Sequence, residues 1–169
     1  AARMYAEDNG QWLPHAGYTY NNTVSGPYIG WTAQLSRYLN VSSMTAYQLN
    51  HGVFQCPSQT NPSSGYPGYG DNGFYGGYGW NYVRLGYIPN HRLENTINLT
   101  QVRNPTKTLM AGDTSDEYIN SFDPSRVFFL YGNAFRHSDG GNYLWIDGHV
   151  SWHSESEMSL HWIDWFDLE

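Results

Sequence analysis

The chain has 169 residues and a mass of 19.3 kDa, room for one domain with its own core. Fifteen acidic residues face eight basic ones, of which Lys107 is the lone lysine. The net charge is −7 and the pI near 5.3, which argues against nucleic acid or anionic membrane, where Lys and Arg must neutralise phosphates. Apolar residues reach only 40%, but fifteen Tyr, seven Trp and seven Phe allow enough burial to exclude a disordered chain.

In chain order, Ala1 to Asn9 carries helix formers, with Met4 and Tyr5 expected on the buried stripe and Asn9-Gly10 as the C-cap. No Ser, Thr, Asp or Asn precedes this run as an N-cap. The chain is therefore expected to begin in mid-helix, with a segment upstream. Residues 10–30, rich in Gly, Pro, Asn and Tyr, read as an ordered loop. Trp31 to Leu39 has apolar residues at i, i+4, i+7 and i+8 and predicts a short amphipathic helix. Thr45 to Leu49 predicts another turn of helix, and Val53-Phe54-Gln55-Cys56 a short strand stopped by Pro57. The stretch 62–81 interleaves glycines with Tyr66, Tyr69, Phe74, Tyr75, Tyr78 and Trp80. It reads as a packed loop, or else as a sugar-stacking or subunit-contact surface.

Strand signals follow at Asn81 to Arg84, Thr108 to Ala111 and Arg126 to Leu130. The strongest pairs Asn142 to Ile146 with His149 to His153 across Asp147-Gly148, which predicts a hairpin closed by a two-residue type I′ turn. Ser154-Glu155-Ser156-Glu157 then predicts a helix start. The longest apolar run, Val127 to Tyr131, is far too short for a bilayer. No signal-peptide pattern is read at the start of this sequence, and no linker or repeat is seen. Residues 1–169 are read as a single domain.

Catalytic templates fail: there is no G-x-S-x-G, phosphate loop, H-E-x-x-H or C-x-x-C, so no enzyme is expected. Cys56, the single cysteine, could be a nucleophile only beside a histidine that sequence cannot place. A buried or disulfide-bonded role is the commoner one. His137, Asp139, Asp147, His149 and His153 crowd the hairpin with metal-competent side chains, but at no known ligand spacing. For calcium, the loops 113–123 (Asp113, Asp116, Glu117, Asp123) and 139–147 are candidates, neither with EF-hand spacing. Solvated acidic loops are the better reading, and no cofactor is expected. Asn21, Asn40 and Asn98 head N-x-[ST] sequons.

His137, nine residues, then Asp147-Gly148-His149-Val150 resembles the C-terminal signature of a large bacterial family of prepilin-type proteins, written H-x(9)-D-G. Four other segments fall in that family's order. Met4 to Gly10 with Pro14 resembles its M-Y-A-x-D-N-x-G-x-x-P, and Phe54 to Ser58 its F-x-C-P-S. Tyr78-Gly79-Trp80-Asn81 resembles its Y-G-x-N, and Pro105 to Leu109 with Asp113 its P-x-x-T strand leading into an acid. The resemblance implies an α+β, type IV pilin-like fold: an N-terminal helix, truncated here, packed on an antiparallel sheet with long aromatic, Gly-rich loops.

The structural motif residues carried over are His137, Asp147, Gly148, Cys56, Asn81 and Asp113, and Cys56 could pair with a cysteine of the upstream helix. The ring of His137 is expected to hydrogen-bond the Asp147 turn, so that its loss costs about 1–3 kcal/mol. The implied function is structural, as a subunit of an extracellular type IV pilus-like or type II secretion pseudopilus-like filament. Its partners would be copies of itself and other pilin-like subunits. It would touch membrane only through the missing helix, and reach the cell surface after inner-membrane insertion. Aromatic enrichment and lysine depletion suit such contacts. The alternative is a secreted or surface carbohydrate-binding module using Trp80, Trp145, Trp152, Trp162 or Trp165.

Overall fold

The computed structural model describes residues 1–15, 17–19, 28–40, 52–58, 77–81, 85, 97–114, 118–119 and 135–166. The expectations for 45–49, 62–76, 82–84 and 126–130 lie outside them, as do Asp116, Glu117 and Asp123.

The first helix, α1 (Ala2–Asp8), ends as its Asn-Gly pair predicts. Gly10 takes φ 63°, and the Gln11 N–H reaches back 2.7 Å to the Ala6 carbonyl, the six-to-one bond of a Schellman end. Its buried face is Ala2 and Ala6, one helical turn apart, while Met4 is exposed and Tyr5 half-buried. The predicted stripe is corrected at Met4, which points away, while Tyr5 packs partly buried against the core and the alanines let the helix approach closely. Residues 10–30 are more than loop, because β1 (Gly17–Thr19) and β2 (Tyr28–Gly30) pair antiparallel. Helix α2 (Trp31–Ser36) runs on into a 3-10 turn at Arg37–Leu39, with Trp31 and Leu35 buried as the period requires. The predicted strand at 53–56 is instead a 3-10 turn, Gly52–Phe54. There Phe54 turns inward to meet Trp31 edge-on, ring centroids 5.8 Å apart.

The main sheet has four antiparallel strands in the order β3 (Tyr78–Asn81), β4 (Leu109–Asp113), β6 (Gly140–Trp145) and β7 (Val150–Ser154). A two-residue β5 (Tyr118–Ile119) lies parallel beside β3. Between Leu109 and Ala111 the β4–β6 register slips by one, a bulge that puts both Met110 and Ala111 on one face. That face carries Trp80, Met110, Ala111 and Ile146 and is covered by Ala2, Ala6, Leu13, Trp31, Leu35 and Phe54. The opposite face carries Leu109, Tyr143 and Trp145, covered by Met158 and Trp165 of α3 (Glu155–Phe166). The sheet is therefore sandwiched, with α1 and α2 on one side and α3 on the other.

The hairpin forms where Asp147-Gly148 predicts it, but its loop is three residues, Ile146 to Gly148. The Gly148 N–H bonds the Trp145 carbonyl (2.9 Å), the Trp145 N–H bonds that of His149 (3.0 Å), and Gly148 alone in the loop has positive φ, 98°. A type I′ turn would need positive φ at Asp147 as well. A turn with glycine in the third place needs it once and still matches the strand twist. At the start of α3, the Glu157 N–H donates to Ser154 Oγ (3.3 Å) and the Ser154 N–H to Glu157 Oε2 (3.0 Å), the expected reciprocal cap.

A buried Cys–His–Asp cluster

Asp113 ends β4 on the face that bears α1. Its cross-strand partner is Tyr78, and two residues further along the same pair of strands Trp80 faces Ala111. Alternation along both strands puts Tyr78 and Asp113 on that face too. The Asp113 carboxylate is wholly buried, and such a charge is tolerated only when paired and hydrogen-bonded. Arg136 Nη1 donates to Oδ1 at 2.9 Å, and the backbone N–H and Nδ2 of Asn142 donate to Oδ2 at 2.7 and 3.2 Å. The guanidinium, itself nine-tenths buried, also donates to the Gly77 carbonyl at 3.0 Å and the Thr114 carbonyl at 2.7 Å. One arginine thus pins the 135–139 turn to the ends of β3 and β4.

That turn delivers His137. Its N–H and C=O exchange hydrogen bonds with Gly140, at 3.0 and 3.2 Å, and its carbonyl also accepts from Trp152 Nε1 at 2.7 Å. With the backbone so fixed, Nε2 lies 3.4 Å from Asp113 Oδ1 and 3.3 Å from Cys56 Sγ. Cys56, from the turn after the Phe54 anchor, is fully buried. The Tyr78 hydroxyl is hydrogen-bonded to it, and burial first, then the charges of Cys56 and Asp113, push the Tyr78 pKa up to about 12. The phenol therefore stays a donor throughout the physiological range.

Of the six motif residues, the structure brings Cys56, Asp113 and His137 together. Asn81 is buried at the other end of β3 from Tyr78 and donates from Nδ2 to the Leu109 carbonyl (2.8 Å), tying β3 to β4 there. Asp147 and Gly148 stay apart in the hairpin loop. The expected His137–Asp147 hydrogen bond is replaced by two others: Asp147 Oδ1 accepts from the backbone N–H of His149 (3.1 Å) and lies 2.6 Å from its Nδ1. The entry to the hairpin is stapled through the His137 carbonyl, not its ring. Sequence reasoning missed Arg136, Tyr78 and Asn142, although Tyr78 and Asn142 stand inside the motif segments and Arg136 directly precedes His137. A buried acid needs a cation, and with only eight basic residues in the chain the arginine next to His137 was the neighbour to suspect.

The hairpin histidines do not gather as a ligand set. His149 stacks on Trp145 (centroids 5.6 Å apart), His153 leans on Trp165 (4.5 Å) and His161 stacks on Trp165 (5.2 Å). Among the described residues, the group of three able to hold a metal ion is Cys56, Asp113 and His137, whose ligand atoms all lie within 4.8 Å of one another. Around Asp113, the residue of the calcium candidates that lies in this cluster, the neighbouring donors are sulfur and nitrogen, whereas calcium takes six to eight oxygens. Nor is the trio arranged as a nucleophile relay. In such a triad the acid holds one ring nitrogen and the nucleophile the other, while here both fall on Nε2.

Of the tryptophans expected to stack on sugars, Trp80 and Trp145 are buried and present no face, Trp165 is half-buried, and Trp152 is exposed. The side chain of Trp162 lies outside the described residues. Comparison of the chain with protein-family models, with curated proteins and with solved structures finds no match.

Proposed function

We propose that the chain is the globular part of a subunit of an extracellular filament, of the type IV pilus-like or type II secretion pseudopilus-like kind. The observation that carries this reading is the convergence of the five segments that resemble the prepilin-type family. Cys56, Asp113 and His137 meet in one cluster, and Asn81 bonds the Leu109 carbonyl. The carbonyls of Pro105 and Thr108 accept from the N–H groups of Asp147 and Ile146, at 3.1 and 3.0 Å. Ala6 of the first segment packs in the same core as Phe54 and Trp80. Motif residues used to hold the fold together suit a structural subunit, and a short helix laid on an antiparallel sheet suits a pilin-like head.

In this reading α1 is the end of a longer hydrophobic helix that inserts the precursor in the inner membrane and later packs in the filament core. Among the described residues, no helix is itself long and apolar enough to cross a membrane. Helix α3, on the far face of the sheet, is an addition that the resemblance does not account for.

Negative-stain electron microscopy of material sheared from the source cells tests the proposal. Filaments whose peptide map returns this chain as a stoichiometric component are the expected result. Recovery of the chain only as monomers, with no filament containing it, would overturn it. The carbohydrate-binding alternative would then be tested through a saturable change in Trp fluorescence on adding polysaccharide.

A further inference from the structure

We propose that Cys56 Sγ, His137 Nε2 and Asp113 Oδ1 bind one zinc ion, which clamps the 52–58 turn to the sheet and to the 135–139 turn. The two separations measured from His137 Nε2, in a trio of atoms that all lie within 4.8 Å of one another, carry the inference. A tetrahedral zinc ion, with bonds of about 2.3 Å to sulfur and about 2.0–2.1 Å to nitrogen and oxygen, holds its nitrogen and sulfur ligands about 3.6 Å apart. It holds nitrogen and oxygen about 3.4 Å apart by the same geometry. The observed separations are 3.3 Å for Nε2 to Sγ and 3.4 Å for Nε2 to Oδ1. Both contacts fall on one ring nitrogen, so a single N–H cannot serve both well, whereas a metal ion lying between the three atoms would. The ligand chemistry agrees: thiolate, imidazole and carboxylate together are borderline-soft donors that favour zinc over magnesium or calcium.

The surroundings are those of a prepared site. Asp113 is held at its other oxygen by two donors from Asn142, and His137 is fixed through its backbone by Gly140 and Trp152. Outer partners of this kind orient metal ligands. Arg136 Nη1 approaches the same Oδ1, and a carboxylate oxygen has two lone pairs, one for the guanidinium and one for the ion. The side chain of His137 is 27% exposed while Cys56 and Asp113 are buried, so ion and water enter past the imidazole. On binding, the zinc–sulfur bond forms as the thiol proton leaves to solvent. Three protein ligands leave a fourth position for water. The inference does not depend on the filament reading, since it concerns a single folded chain in solution.

Cobalt(II) is the probe. The full chain, stripped with a chelator and still folded by circular dichroism, is titrated with cobalt and followed by absorption. One equivalent giving a near-ultraviolet sulfur-to-cobalt charge-transfer band and the visible bands of a tetrahedral ion, both abolished by added zinc, is the expected result. Cys56→Ser should remove the charge-transfer band. His137→Gln, at a partly exposed side chain and so the safer variant to fold, should weaken binding by more than the roughly 10–100-fold that loss of an outer partner costs. Absence of the sulfur band from the folded chain would overturn the proposal. So would cobalt binding that is unchanged in both variants, which would place the ion elsewhere.

Discussion

Asp113 is the residue on which the described structure depends most. Its charge is wholly buried, and its partner Arg136 is buried with it. Such a pair adds little stability over an apolar pair of the same shape, but removing one member strands the other charge. Asp113→Ala is therefore expected to cost about 3–5 kcal/mol, read as a lowered urea midpoint. A loss under 1 kcal/mol would mean that Arg136 escapes to water. His137→Ala, in the metal-free chain, removes one long contact to Asp113 and one to sulfur while leaving the carbonyl staples in place. It is expected to cost about 1 kcal/mol. Asp147, equally prominent in the sequence motif, is solvent-facing and should matter much less. The backbone N–H of His149 chiefly, then its ring, holds the Asp147 carboxyl below the usual carboxylate range. Any stability it adds is present at neutral pH and is lost only as pH falls through that depressed value.

At the scale of elements, the β6–β7 hairpin is held by side chains packed against missing ones. A Cβ on Gly140 would come within 2.3 Å of Trp152 Cζ2 and 2.5 Å of the His153 carbonyl oxygen. The indole could swing aside, but the carbonyl belongs to the paired strand and could move only with it. Gly140→Ala is expected to cost about 1–3 kcal/mol and to loosen Trp152 from the His137 carbonyl. At Gly148 a Cβ would meet nothing within 4 Å, so only the φ of 98° penalises it. Gly148→Ala should cost about 1–2 kcal/mol. Thermal denaturation of the two variants, with near-ultraviolet circular dichroism for the tryptophan, distinguishes the two mechanisms: only the first should alter the aromatic signal. The hairpin and the α3 cap were legible because each depends on residues within four of one another. The missing I′ turn shows the limit, since Asp-Gly is compatible with a two- or a three-residue loop and strand register chooses between them.

For the whole molecule, the layer of α1 and α2 is joined by a polar chain through the core. The Tyr5 hydroxyl donates to Gln34 Oε1 (3.2 Å), and Gln34 Nε2 donates to the His15 carbonyl (2.8 Å) and approaches its Nδ1 (3.1 Å). An imidazole that accepts at Nδ1 is neutral. Burial lowers the His15 pKa from 6.5 to about 4. Because the folded value lies below the unfolded one, the stabilisation is complete above pH 6.5 and is lost as pH falls from there through about 4. The loss amounts to about 3 kcal/mol. Burial also lowers the pKa of His153, with the same sign. Urea midpoints should therefore drop between pH 7 and pH 4.5, and His15→Gln should flatten most of that slope. An unchanged slope in a folded variant would move the acid sensitivity to His153 or the carboxylates.

The sequence by itself determined the features that act over a few residues: the Schellman end at Gly10, the α2 stripe, the Asp-Gly hairpin and the Ser154–Glu157 cap. It could not show that Ala2 and Ala6, rather than Met4, face the core, because that depends on what α1 packs against. Nor could it join Cys56 to His137, 81 positions away, or pair Asp113 with Arg136. Each of those contacts exists only after β3, β4 and β6 have settled into register and Arg136 has tied the 135–139 turn across their ends. Local chemistry chooses turns and caps one at a time. Bringing three ligand atoms within 4.8 Å of one another takes the whole sheet, because only its burial offsets the entropy of closing those long loops.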